Sequence, residues 1–187
     1  MFLQRHGESE TNISKIFTCR KLDPGLTEKG KRQIEDKAQF YKPLGIQKII
    51  TSPSRRAIQT AGILSHALNI DFNVNEALLE VNVGDLEGKS ELVPEHIGLF
   101  LQILDDWFYK SVNTRFPNGE SREEVESRIE KAIPLLLPGT ILVGHVGFFA
   151  VLLWKQKMPF NEAKDLFLPR GGTAQYFVDK NEWKIVS

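Results

Sequence analysis

Three observations predict an α/β fold, a three-layer arrangement with one central sheet and helices on both faces. Strand-like and helix-like patterns alternate through residue 75, in the order strand, helix, strand, helix, strand. Short apolar runs near residues 1–5, 46–50 and 140–143 each end abruptly in polar or basic residues, as strands do when a sheet presents one edge to a ligand. No repeat, low-complexity tract or Pro/Ser-rich linker divides the 187 residues, a length that buries a core in one domain.

Residues 1 to 5 read as a short strand, and residues 10 to 25 as a polar, irregular stretch ending in the turn Leu22-Asp23-Pro24-Gly25. Thr27 is placed to cap a helix carrying Ile34, Ala38 and Tyr41 at helical spacing, stopped by Pro43 to Gly45. Ile46 to Ile50 is the second strand. A helix from about Ser54 follows, with Ala57, Ala61, Leu64 and Leu68 on its inner face; Phe72 to Val74 is an edge strand. Residues 78 to 88 are acidic and punctuated by glycine. Residues 93 to 110 form an apolar helix ending in Trp107-Phe108-Tyr109, suited to core packing or to a lid. Pro117 to Glu120 turn the chain, and Ser121 with Glu124 makes a capping box for a helix to about Ile133. Thr140 to Val143 is the most apolar strand, followed by a helix over Phe148 to Trp154. Thr173 to Val178 and Trp183 to Val186 close the fold as a hairpin turned at Asp179 to Glu182.

Composition narrows the class. Lys plus Arg and Asp plus Glu both number 24, so the net charge is zero, which argues against a nucleic-acid partner held by bulk charge. No apolar run reaches the length needed to span a bilayer, and no basic-then-apolar leader is visible, so no membrane association is expected. Cys19 is the single cysteine. It precludes an intramolecular disulfide and a cysteine-based metal site, and it fits a reducing cytoplasm.

The strand ends carry the chemistry. Arg5 offers a rigid fork of donors for a phosphate or carboxylate. His6 is the side chain suited to nucleophilic or proton-carrying work near neutral pH. Gly7 lets the backbone bend close to a ligand, and Ser9 and Asn12 add neutral hydrogen bonds. Arg55 and Arg56, adjacent on a helix, point about 100° apart, so one can face a pocket while the other faces solvent. His145 stands at the third strand end. His66 and His96 read as structural.

These residues resemble the histidine phosphatase superfamily, also called the phosphoglycerate-mutase-like family. Four blocks carry the resemblance, in family order across nearly the whole chain: Arg5-His6-Gly7-Glu8-Ser9 through Asn12; Ser52 to Ala61, where the arginine preceding Ala57 is Arg56; Leu79 to Gly88, whose acid is Glu80; and Val143-Gly144-His145. Asp23 to Gly30 and Pro117 to Ser121 match lesser landmarks. The resemblance implies a mixed, mainly parallel sheet in a single domain over 1–187, with 89–116 as a helical, lid-like insertion. It implies that His6 attacks a phosphoryl group to become a phosphohistidine. Arg5, Arg56 and His145 would form the phosphate pocket, with Ser9 and Asn12 at the substrate. Glu80 would protonate the leaving oxygen and then assist the attacking water, without metal or organic cofactor. A general acid working near neutrality would need its pKa raised. Family members commonly have Gly directly after the second histidine; here Val146 stands there and Gly147 follows.

Within the family, the glycerate mutases are longer and carry a basic insertion for the substrate carboxylate. Residues 89 to 116 offer Lys89, Lys110 and Arg115 among acids and aromatics, without an adjacent arginine pair. Hydrolysis of a small-molecule phosphomonoester is therefore favoured over mutase chemistry. Leu99, Phe100, Trp107 or Phe108 would roof a pocket for an ester with an apolar part. The alpha-ribazole phosphatases are similar in size and block pattern, and a non-catalytic phosphate-binding regulatory module is the alternative of another class. A monomer or homodimer is expected.

Overall fold

The computed structural model describes residues 1–110, 112–161, 163–177, 180 and 182–186. One mixed sheet holds β1 (Phe2–Arg5), β2 (Lys48–Thr51), β3 (Phe72–Val74), β4 (Thr140–Gly144), β5 (Thr173–Phe177) and β6 (Glu182–Val186) in the order β3-β2-β4-β1-β5-β6. β1, β2, β3 and β4 run parallel, and β5 and β6 add antiparallel to the β1 side. Around it lie α1 (Glu10–Ser14), α2 (Glu28–Tyr41), α3 (Arg55–Leu68), α4 (Pro94–Phe108), α5 (Arg122–Ala132) and α6 (Val146–Lys155).

Strand alternation divides the core between the two faces of the sheet. Phe2, Ile49, Ile141 and Val143 pack with Ile34, Ala38 and Tyr41 of α2 and Ala57, Ala61 and Leu64 of α3. Their strand neighbours Leu3, Ile50 and Leu142 join Ile103 and Trp107 of α4, Val125 and Ile129 of α5, and Phe148 of α6. All five residues of β4 are buried, as befits the strand flanked by β1 and β2 and covered on both faces.

Local chemistry sets the element ends. The Thr27 hydroxyl accepts the Gly30 N–H at the start of α2, and Gly45, at φ 61°, turns the chain after it. Glu124 Oε2 accepts the Ser121 N–H at the head of α5. α3 begins with the Arg55 N–H donating to Asp23 Oδ1 at 2.7 Å, which ties the irregular stretch to the strand end. The second strand starts two residues later than the apolar run suggests and takes in Thr51, because Ile46 packs beside the strand rather than in the ladder. Residues 10 to 25 also hold a helix the sequence pattern does not announce: the one-turn α1, whose entry is braced by Ser9 N–H donating to Asn12 Oδ1. The hairpin of β5 and β6 forms as expected, but Val178, Asp179 and Asn181 lie outside the described residues.

α4 has two working faces. Ile103, Trp107 and Phe108 are buried in the core, and the Trp107 indole N–H donates to the Thr114 carbonyl at 2.6 Å. Ile97, Phe100, Leu101 and Leu104 line a cavity at the strand ends, which Trp107 also borders; Leu99 and Phe108, expected at its roof, do not line it. No described helix is long and apolar enough to cross a membrane.

Candidate active site

Because β1, β4 and β2 are parallel neighbours, their carboxyl ends open on one edge of the sheet. The ladder registers Arg5 opposite Gly144 and Thr51 opposite Val143, so the next residues, His6, His145 and Ser52, emerge side by side. Two backbone bonds continue the pairing, His6 N–H to Gly144 O at 3.1 Å and Ser52 N–H to Val143 O at 3.0 Å. Gly7 completes the bend by packing backbone against backbone: a β-carbon there would lie 2.4 Å from the Gly30 carbonyl oxygen.

A cavity of about 390 Å³ lies above these ends, lined at its base by Arg5, His6, Arg56 and Glu80. His6 is 3% exposed and its Nδ1 lies 2.7 Å from the Gly7 carbonyl. That carbonyl can only accept, so Nδ1 carries the proton and Nε2 presents a lone pair, which receives the Arg56 Nε–H at 3.2 Å. Burial, with Arg56 and Arg5 close by, pushes the His6 pKa well below the ordinary imidazole value. The ring is therefore neutral, with a nucleophilic nitrogen, at neutral pH.

Arg56 is 2% exposed, whereas Arg55 faces solvent, as the turn of the helix requires. Arg56 Nη2 donates to His145 Nδ1 at 3.2 Å. His145 Nε2 therefore bears the proton and donates to Ser52 Oγ at 2.8 Å and Ser54 Oγ at 3.0 Å. Burial, then Arg56 and His6, lowers the His145 pKa well below its usual value. Arg5 donates through Nη1 to the Leu168 carbonyl at 2.7 Å. Burial pulls its pKa down to about 10, and burial lowers that of Arg56 too. Both stay charged at neutral pH. Arg5 Nε and Arg56 Nη1 are buried without a hydrogen-bond partner among the described residues. Two unused cationic donors on arginines that share a cavity with an unprotonated imidazole nitrogen suit an oxyanion.

Glu80 closes the group. Its Oε1 accepts N–H from Val81 at 2.8 Å and Phe148 at 2.9 Å, while Oε2 accepts, among the described residues, only Gly147 N–H at 3.2 Å. Oε2 keeps a lone pair with which to carry a proton. Two of the three donors, Gly147 and Phe148, come from the first turn of α6, and Gly147 is what lets that turn approach: a β-carbon there would lie 2.8 Å from Glu80 Oε1. Val146 instead contributes its side chain to the cavity wall.

The structure thus gathers Arg5, His6, Arg56, Glu80 and Asn12 around one cavity. His145 stands fully buried one layer behind, touching Arg56. Ser9 is buried at the head of α1, outside the lining. Glu8 is an internal tie, its carboxylate taking Lys29 Nζ at 3.2 Å and the Thr27 hydroxyl at 3.1 Å. His66 is exposed, on an open groove between α2 and α3 where no reactive groups converge. Among the described residues no three His, Cys, Asp or Glu side chains group to hold a metal ion.

Several participants carried no sequence signal of their own. Ser52 and Ser54 sit in a recognised block, but their contact with His145 depends on strand pairing. Arg170, which donates to the Asn12 carbonyl at 3.1 Å, arrives from the far end of the chain. A second glutamate of the 79–88 block, Glu87, is used differently from Glu80. One oxygen accepts four consecutive backbone N–H groups, from Cys19, Arg20, Lys21 and Leu22 at 2.7–3.0 Å, and the other takes the Cys19 thiol at 3.0 Å. Burial and this carboxylate push the Cys19 thiol up to about 12.

Comparison with known proteins gives the family. Residues 1–187 match the model of the histidine phosphatase superfamily (branch 1). The chain belongs to that family. Among relatives of the superfamily, a Cronobacter sakazakii protein named a probable phosphoglycerate mutase, GpmB, is 34% identical over 78% of this chain and 68% of its own length. An Escherichia coli GpmB is 33% identical over 71% of this chain and 60% of its own length. A mycobacterial glucosyl-3-phosphoglycerate phosphatase, solved in complex with VO3, shares the fold at a TM-score of 0.79 and 23% identity, covering 100% of this chain and 96% of that one. An E. coli K-12 protein assigned provisionally as an alpha-ribazole-5'-P phosphatase does so at 0.71 and 20%, covering 99% and 93%. Relatives in the superfamily are thus named both as mutases and as phosphatases.

Proposed function

We propose that the protein is a metal-independent phosphomonoester hydrolase working through a phosphohistidine on His6. The observation that carries this is the unprotonated Nε2 of His6, held by the Arg56 Nε–H in a cavity that Arg5, Arg56 and Glu80 also line, with Arg5 Nε–H and Arg56 Nη1–H left without a partner among the described residues. In the first step Nε2 attacks phosphorus, the bond to the ester oxygen breaks, and that oxygen takes a proton from Glu80 Oε2. In the second, Glu80 takes a proton from water as the water oxygen attacks phosphorus; the N–P bond breaks and phosphate and neutral His6 are restored. The charge that spreads over the phosphoryl oxygens meets Arg5 and Arg56, which supply what metal ions supply elsewhere. Arg56 Nε is freed from His6 when Nε2 turns to bonding phosphorus, so a donor becomes available as charge develops.

The outer cavity supports hydrolysis of a small ester with an apolar part over transfer within a phosphoglycerate. Its walls are Ile97, Phe100, Leu101, Leu104, Phe116 and Val151, and the charged side chain there is Glu91. A substrate carboxylate or second phosphate would need cations where a carboxylate stands. The mutase names of the relatives favour the alternative, and a product assay separates the two: incubation with 3-phosphoglycerate should form no 2-phosphoglycerate, while naphthyl phosphate should release inorganic phosphate.

The main test is hydrolysis of p-nitrophenyl phosphate in excess EDTA, by the protein and by His6→Ala, across pH. Activity should survive chelation, vanish in the variant, and fall at both pH extremes. Turnover that depends on added metal, or persists in His6→Ala, would overturn the mechanism. Phosphate binding without turnover on any ester would favour a binding module.

A further inference from the structure

The loop that carries Glu80 is held by a side chain far away in sequence. Arg128, on α5, spends its whole guanidinium edge on it. Nη1 donates to the Ala77 carbonyl at 2.9 Å and the Leu79 carbonyl at 2.8 Å, and Nη2 to the Glu80 carbonyl at 3.3 Å. Nε and Nη2 also reach Glu120, at 2.7 Å to Oε1 and 2.9 Å to Oε2. Glu120 in turn accepts the Asn82 N–H at 2.7 Å, and its own N–H donates to the Asn82 carbonyl at 2.8 Å. The guanidinium lies 5.1 Å from the centre of the Phe148 ring, on the α6 turn whose N–H holds Glu80 Oε1. Both partners are mostly shielded, with side chains 17% and 14% exposed.

This is more than a shielded ion pair. An ion pair by itself is weak evidence of stabilisation. Here the donors left over from Glu120 go to three carbonyls of one short loop, and the residue in its middle is the acid. Lysine, with three donors on a compact head, cannot reproduce a planar five-donor fork. The Glu80 carboxylate is fixed at one end by α6, and Arg128 fixes its backbone at the other while resting on α6.

We propose that Arg128, with Glu120, is a positioning pair that sets Glu80 at the leaving oxygen. It rests on Glu80 being the general acid. Misplacing a reacting group by about 1 Å costs on the order of 100-fold.

The test uses the dependence on the leaving group. Phenyl phosphate expels a basic phenoxide and needs a proton, whereas 2,4-dinitrophenyl phosphate expels a stable anion and does not. kcat/KM reports the first phosphoryl transfer for both. Glu80→Gln serves as reference and should cripple the phenyl ester while sparing the dinitrophenyl ester. Arg128→Lys should show the same pattern, with about a 10- to 100-fold loss on the phenyl ester and under about 3-fold on the other. Glu120→Gln, which keeps the side-chain shape, should show a smaller loss with the same selectivity, and stands in if Arg128→Lys does not fold. Equal losses on the two esters in the positioning variants, or no loss, would overturn the proposal. Equal losses in Glu80→Gln itself would instead remove Glu80 as the acid, and the positioning role with it.

Discussion

The two ends of the cavity are built on opposite plans. At the strand ends each polar group has a partner that fixes its direction: Arg5 on Leu168, Arg56 on both histidines, His145 on two serines, Glu80 on three N–H groups. At the outer end, Phe100, Leu101 and Leu104 of α4 present surfaces without directional bonds. Phosphoryl transfer rewards charge and orientation at one point, so that end tolerates little change. Selection among alcohols by apolar contact is worth far less per group, so the outer end can vary by degrees.

The contrast is tested by breaking each end in turn. Arg56→Lys keeps the charge but loses the fork that binds His6 and His145 together; kcat on p-nitrophenyl phosphate should fall about 100- to 1,000-fold. A loss below about 5-fold would mean that the wiring at this end is incidental. Phe100→Ala should lower kcat/KM for naphthyl phosphate about 10-fold while leaving glycerol phosphate nearly unchanged, because only the bulky ester reaches that wall. Equal loss on both esters would show that the outer wall does not select.

The smallest effect is on stability and belongs to the strand ends alone. His6 and His145 have folded pKa values depressed below the unfolded one, so the unfolded chain binds more protons as the pH falls below about 6.5. Stability is full above that value. It is lost on acidification at up to about 1.4 kcal/mol per pH unit for each histidine, until the folded pKa is reached. Urea unfolding between pH 7 and pH 5 should show this slope, and His6→Asn should make it shallower. A slope unchanged by the substitution would mean that His6 is not held neutral.

Much of the strand-end region could be anticipated because its parts are local. Arg5-His6, Ser52 to Arg56 and Val143 to His145 each combine an apolar run with a polar stop, and parallel pairing brings such stops together. What stayed hidden is what depends on contacts across the chain. α1 is a single polar turn without apolar periodicity, held by its cap rather than by packing. Arg128 looks like any arginine among glutamates on a surface helix; only the folded loop shows where its donors go. α4 is apolar on more than one side, so its pattern does not say which side is core and which is cavity wall.

The use of Glu87 has a practical consequence for handling the protein. A buried thiol whose pKa a neighbouring carboxylate and burial push up to about 12 makes a poor nucleophile, so alkylation of the folded protein should be slow. Because Cys19 is the sole cysteine, modification by a thiol reagent should speed up when Glu87→Ala frees residues 19–22, and mass spectrometry reads that rate directly. The chain therefore carries its own clock for the opening of that loop, one that can be read by mass without adding a label.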